Sequence, residues 1–226
     1  MVEPLRDRSS EEYKAAMAHL YDDRSDADLT IICGDKMVKV HSLALWPRSP
    51  YFHRMCKGGF KEASTGIIEL KEEDPFLLGR MLSYCYMMGW TSRKHEDETT
   101  WISDLDTMVR MYTVGDKYDI QGLKEEAKER FSEHTSQINS KLVYDFLGCL
   151  PKIYQDVLPH DRELRNAAVI FGTKIWQMLW SIPEFKDNLN GYDDFINDVV
   201  MQLREESFLD MECQECGSTG KWVING

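Results

Sequence analysis

Apolar residues recur along this chain at two spacings, and the change of spacing sorts it into elements. Between residues 10 and 22, Tyr13, Met17 and Leu20 fall at helical intervals. Ser9 or Ser10 suits the cap of that helix, and Glu11 and Glu12 suit its first turn. Leu29-Thr30-Ile31-Ile32-Cys33 is β-branched and apolar, and Lys36-Met37-Val38-Lys39-Val40 alternates. Both read as strands, and the Gly-first pair Gly34-Asp35 between them predicts a two-residue hairpin.

His41 to Trp46 reads as one short helix stopped by Pro47. Ser49-Pro50 restarts one, with serine as cap and proline at the first helical position; it carries Tyr51, Phe52 and Met55 and ends at Gly58-Gly59. Residues 66–70 read as a short buried strand. Asp74-Pro75 repeats the cap-plus-proline device and opens a helix through about Met88. Residues 91–104 are mostly polar and include the acidic run Glu96-Asp97-Glu98, as a solvated loop does. Helix resumes near Leu105, turns a corner at residues 115–120, and runs again from about Gly122 to Glu133. After Ser136 the pattern is helical throughout. Ser140 suits the cap of a helix bounded by Pro151. Pro151 and Pro159 bound a second piece, Asp161 opens a long helix reaching Leu179, and Asp193 or Asp194 opens the last. The stretch from Met211 to Gly226 reads as a loosely held tail. Strands interleaved with helical hairpins, then helices alone, predict a small α+β core followed by a helical region.

Composition narrows the function classes. The 226 residues are 42% hydrophobic, enough for a packed core. The 27 basic and 39 acidic residues leave a net charge of −12, which repels the phosphate backbone of nucleic acids. The best basic run, Lys117 to Arg130, alternates Lys and Glu like a solvated helix face, so direct nucleic-acid binding is not expected. The N-terminus lacks the apolar segment of a secretory signal. No stretch approaches the roughly 18 apolar residues of a membrane span. Cysteines at 33, 56, 85 and 149 sit singly in apolar patterns, the usage of a reducing compartment, cytosol or nucleus. There is no internal repeat.

Candidate chemistry is sparse. His41, Asp28 and Asp116 lie near element ends, where hydrogen-bonded structural groups are the commoner explanation. The chain has no G-x-S-x-G, H-E-x-x-H or G-x-G-x-x-G pattern, and Gly217-Ser218-Thr219-Gly220-Lys221 lacks the first glycine and final Ser/Thr of a P-loop. Catalytic residues and a cofactor are not expected. Cys213 and Cys216, two residues apart, form half of a zinc site. The nearest further ligands, Cys149, His134 and His160, are distant in sequence.

A resemblance carries the reading further. Asp28-Leu29-Thr30-Ile31, Val40-His41-Ser42-Leu43-Ala44-Leu45, Ser49-Pro50-Tyr51-Phe52, Gly59-Phe60-Lys61-Glu62, Ile68-Glu69-Leu70 and Leu82-Ser83-Tyr84-Cys85-Tyr86 occur in the order of motifs of the BTB (POZ) family. Tyr112 through Leu123 resembles its "Y-x-L-A-D-K-Y-D-V-x-G-L" segment. The family's "Y-T-G" triplet here reads Tyr86-Met87-Met88, with Gly89 one place late. The style is that of short single-BTB proteins common in fungi. The resemblance implies a BTB/POZ, Skp1-like core of a small sheet flanked by helical hairpins at 26–134. Around it lie an N-terminal helix with a dimerisation role at 1–25, a helical region at 135–209, and a tail with the CxxC pair at 210–226.

It implies a protein–protein interaction module, not an enzyme. Two surfaces follow: a homodimer face including Tyr13, Met17 and Leu20, and a face for a cullin scaffold, where Phe60 and Glu62 supply the family's apolar-x-acid pattern. The implied role is partner recruitment, with substrate adaptor of a cullin-type ubiquitin ligase as its finer form. A transcription-linked regulator recruiting corepressors is one alternative. A zinc- or thiol-dependent protein acting through Cys213 and Cys216 is another.

Overall fold

Residues 5–90 and 103–209 are described by a computed structural model, and the chain divides into two compact units. The first comprises residues 1–102 and 110–127, the second residues 103–109 and 128–226. Cys213 and Cys216, like most of the acidic loop at 91–104, lie outside the described residues.

The first unit opens with α1 (Leu5–Asp22), which starts before the predicted serine caps. Then come β1 (Leu29–Cys33) and β2 (Lys36–Val40), joined by the expected hairpin, with Gly34 at the left-handed φ of 55° that its first position requires. Their antiparallel register sets Ile31 opposite Val38. Next are α2 (Ser42–Leu45), α3 (Pro50–Lys57), α4 (Lys61–Thr65) and β3 (Ile67–Glu69), which pairs parallel to β1 with Ile31 beside Ile68. The sheet order is β2-β1-β3. Leu29, Ile31 and Cys33 point inward and alternate with half-buried neighbours, so the sheet turns one face to the core.

α5 (Pro75–Cys85) is capped by Asp74, whose carboxylate accepts from the Phe76 amide at 2.9 Å. It ends three residues before the predicted Met88. Met87 takes the left-handed φ of 61°, its amide donates to the Tyr84 carbonyl, and the Met88 amide donates to Ser83. This is a Schellman motif with methionine where glycine is usual. The left-handed backbone costs about 1–2 kcal/mol for a residue with a Cβ. Packing of Met87 against the Met17–Ala44–Tyr86 cluster acts against that cost.

α6 (Asp104–Lys117) and α7 (Gln121–His134) each contribute residues to both units. The corner between them is tight. A Cβ on Gly115 would lie 2.8 Å from the Lys124 nitrogen, and one on Gly122 would lie 2.5 Å from Tyr84 Oη. Asp119 holds the left-handed φ of 53° that aspartate tolerates.

In the second unit, α8 (Ser140–Gln155), α9 (Glu163–Lys174) and α12 (Asp193–Leu209) form the body; between α9 and α12 lie α10 (Trp176–Leu179), α11 (Pro183–Asp187) and a 3₁₀ turn at Leu189–Gly191. Asn139, not Ser140, caps α8, accepting from the Leu142 amide at 2.9 Å. Pro151 does not bound α8 but lies inside it, because buried Leu150 and Ile153 on either side hold the helical path. The long helix expected to reach Leu179 breaks at Ile175. Arg165, buried, donates from Nη2 to the Tyr154 and Val157 carbonyls at 2.9 and 2.8 Å, satisfying the end of α8 with positive charge.

Candidate interaction surface

Helix α2 is too short to hold itself. Its own N-cap, His41, makes no side-chain cap, and the work is done from fourteen residues away. Asp28 accepts from the Ser42 amide at 2.7 Å and from the Ser42 hydroxyl at 2.6 Å. Partial desolvation acts to raise the Asp28 carboxyl, but the Ser42 hydroxyl and amide outweigh it and hold the group below its ordinary value. His41 belongs to the same support: its amide donates to Tyr86 Oη at 2.7 Å, and its Nδ1 lies 3.0 Å from that oxygen. Asp116 pairs with Lys124 at 2.7 Å. All three groups hold elements in place.

A pH dependence follows. A carboxyl depressed below its unfolded value of about 3.9 contributes stability that is present above about pH 4 and is lost as pH falls through the folded value. Asp28→Ala is expected to cost about 1–2 kcal/mol at pH 7, the size of a lost cap. The gap from wild type narrows below pH 4. Urea denaturation at pH 7 and pH 3 checks this; a gap that stays constant between them would rule out the charged cap.

Helix α3 is fixed at its start by Ser49, whose hydroxyl donates to the Tyr118 carbonyl at 2.6 Å and accepts from the Phe52 amide at 3.1 Å. The Phe52 ring stacks on Tyr118 at 5.4 Å, and Tyr51 meets both rings edge-on. α3 therefore turns one side into the core and leaves His53, Arg54 and Lys57 exposed. It ends at Gly58. A Cβ there would lie 2.5 Å from the Arg54 carbonyl and 2.8 Å from Phe60 Cδ2, so the Phe60 ring rests against a glycine.

Phe60 is the N-cap residue of α4, with 57% of its surface exposed. Glu62 follows in the first turn of α4, half-buried. α4 was not expected from the sequence, and it sets these two residues on a helix start that packs against α3 and β3.

The dimer-face residues separate. Met17 is buried with Ala44 and Tyr86, and Leu20 packs partly against the same cluster, so both are covered by their own domain. Tyr13, one turn earlier on α1, is 58% exposed. Leu43, beside Ala44 on α2, is 72% exposed and was not singled out in the sequence.

A second feature escaped the sequence reading. Residues 36–61 contain six of the 27 Lys/Arg residues and none of the 39 Asp/Glu residues. The signal is a gap in the acids, not a dense run of cations, and a search for basic clusters passes over it. It corrects the expectation that Lys117 to Arg130 is the best basic run.

Among the described residues, no group of three or more His, Cys, Asp or Glu side chains is placed to hold a metal. Burial pushes the Cys85 and Cys149 thiols up to about 12, which suits packing groups and not nucleophiles.

The first unit is thus a three-stranded sheet wrapped by short helical hairpins, with an exposed aromatic on a helix cap. The comparisons name its class. A family model described as BTB/POZ domain matches residues 17–135, and the chain belongs to that family. BTB domains are protein-interaction folds with protein partners and, in general, dimerise.

The chain is similar to Kelch-like protein 30 of Mus musculus, 35% identical over 60 residues, which are 26% of this chain and 10% of that protein. It is also similar to Protein maternal effect lethal 26 of Caenorhabditis elegans, 24% identical over 183 residues, 80% of this chain and 41% of that one. The chain thus spans less than half the length of these curated relatives. Among solved structures it is similar to the BTB domain of zebrafish PATZ1, at 13% identity and a TM-score of 0.42, covering 59% of this chain and 98% of that domain.

Proposed function

We propose that this chain is a BTB adaptor that docks on a cullin-type scaffold through Phe60 and Glu62 and pairs with a second copy through Tyr13 and Leu43. The observation that supports it is Phe60 itself. A large aromatic held 57% exposed on a helix cap, followed two residues later by a carboxylate, suits a hot spot that fills a partner's pocket. Exposed Tyr13 and Leu43 flank the point where Met17 and Ala44 bring α1 and α2 together. Their burial against another copy is worth roughly 25 cal/mol per Å². The free thiols at 33, 56, 85 and 149 suit a reducing setting, cytosol or nucleus.

The test uses the purified N-terminal domain of a cullin and the full chain, by calorimetry. Wild type binds, Phe60→Ala binds at least tenfold more weakly, and Glu62→Ala shows a smaller loss. Phe60 is 57% exposed with its ring against Gly58, so its truncation is expected to cost about 1 kcal/mol or less, well short of unfolding the domain. No binding by wild type, or equal binding by Phe60→Ala, overturns the docking role. For the dimer, Leu43→Asp is expected to halve the mass seen by light scattering. A wild-type monomer at tens of micromolar overturns that part.

A further inference from the structure

We propose that the surface around Phe60 selects an acidic amphipathic helix on its partner. The inference deepens the docking role given above and rests on Phe60 being a contact point. Its ground is the charge around that ring. His53, Arg54 and Lys57 stand exposed on α3, with Lys57 one helical turn beyond His53 and Arg54. Lys61 stands exposed next to Phe60 at the start of α4. The acids close by are Asp119, whose carboxylate lies 3.6 Å from Arg54, half-buried Glu62, and Glu69 on β3, which pairs with Lys71 at 2.8 Å and also feels the charge of Lys61. This patch belongs to the stretch of 26 residues, 36–61, that holds no acid in a chain of net charge −12.

Charge of that sign so placed has a physical consequence. An acidic protein repels acidic partners in general, and the potential near a contact governs which approaches succeed. A local cationic patch around an apolar anchor reverses that selection at one place only. It favours a surface with carboxylates spaced around an apolar stripe.

The geometry also points to a helix. The outer faces of α3 and α4 present side chains, not the open edge of a sheet, so they offer no ladder to an extended segment. A partner segment laid there must satisfy its own N–H and C=O groups, and a helix does so while an extended strand does not. Nucleic acid is the competing polyanion. Phe60 offers it one stacking face, whereas single-strand binders present several aromatics along a groove.

The probe is a labelled helical peptide of about 20 residues, Glu-rich on one face with a Leu stripe on the other, compared with its Glu→Gln counterpart and with an oligouridylate of similar length. Binding to the full chain is read by fluorescence anisotropy at 50 and 300 mM NaCl, across which screening strengthens markedly. The acidic peptide is expected to bind at least tenfold tighter than the Gln peptide, and to weaken severalfold at the higher salt. Arg54→Glu with Lys57→Glu should reduce binding at least tenfold. Because Arg54 pairs with Asp119 and Lys57 lies over the Trp46 ring, a melt of the variant and the milder pair Arg54→Gln with Lys57→Gln, expected to weaken binding in the same direction, separate lost charge from lost fold. Equal binding of the Glu and Gln peptides overturns the proposal. So does tighter binding of the oligouridylate, or full binding by the double variant.

The same double variant in the cullin-domain assay separates the two readings. Cullin binding that ignores the charge reversal removes the acidic-partner inference and leaves the adaptor role. Peptide binding without cullin binding does the reverse.

Discussion

Phe146→Ala is expected to lower the stability of the second unit by about 3–5 kcal/mol, the range for removing a buried phenylalanine. The ring is fully buried on α8 and meets Phe171 edge-on at 4.9 Å, Phe195 at 5.7 Å and Phe131 at 6.5 Å. It is where α7, α8, α9 and α12 all place an aromatic, so truncation empties the centre of the cluster. Collapse to fill the space is restricted. Gly172 already lets the Phe195 ring come so near that a Cβ would lie 2.5 Å from it, leaving α9 and α12 little room to close further. A domain stable by about 5–15 kcal/mol loses a large share of that margin. Tyr144→Ala on the same helix, with the side chain 56% exposed, is the control and should fall within about 0.5 kcal/mol of wild type. Urea denaturation gives the difference, and hydrogen exchange of the α8, α9 and α12 amides locates it. A Phe146→Ala cost under about 1 kcal/mol would mean that the core is centred elsewhere.

The parts of the fold that could be read from the sequence are those fixed by local chemistry. Ser49-Pro50 and Asp74-Pro75 announce α3 and α5 because cap oxygens and a proline without N–H suit the same four positions. Gly34-Asp35 announces the hairpin because its first residue must accept φ above zero. The parts that could not be read are set by tertiary contact. α4 is five residues long and is held by α3 and β3, which leaves almost no periodic signal. α8 runs through Pro151 because burial of its neighbours outweighs the lost hydrogen bond. On α1, Tyr13 and Met17 share one stripe, yet only Met17 is covered, since Ala44 and Tyr86 reach that turn.

The candidate surface divides in the same way. Phe60 and Glu62 were visible through a three-residue resemblance, but their exposure depends on Gly58 and on the unforeseen α4. The cations beside them were visible only as missing acids. Leu43 had no signal, because an apolar residue in a short apolar run reads as core until the neighbouring elements are placed.

Ser49→Ala is expected to cost about 2–4 kcal/mol, although it removes a single oxygen atom. Apolar burial hardly changes, so the effect is polar. Ser49 is fully buried, and its hydroxyl is the partner of both the Phe52 amide and the Tyr118 carbonyl. Each buried group left without a partner costs about 1–3 kcal/mol. The cap matters more here because Pro50 begins α3 and supplies no N–H, so Phe52 provides one of the few donors that can tie down the first turn. Ser64→Ala is the control: that hydroxyl donates to the Lys61 carbonyl at 2.8 Å in solvent, and its loss should cost less than about 0.5 kcal/mol. Denaturant melts of the three proteins give the comparison. The change should also weaken partner binding, because α3 carries Arg54 and Lys57 and delivers the chain to Phe60. If Ser49→Ala costs under about 1 kcal/mol, the anchor of α3 is the stack of Phe52 on Tyr118, and Phe52→Leu, which keeps burial but removes the ring, should then show the larger loss.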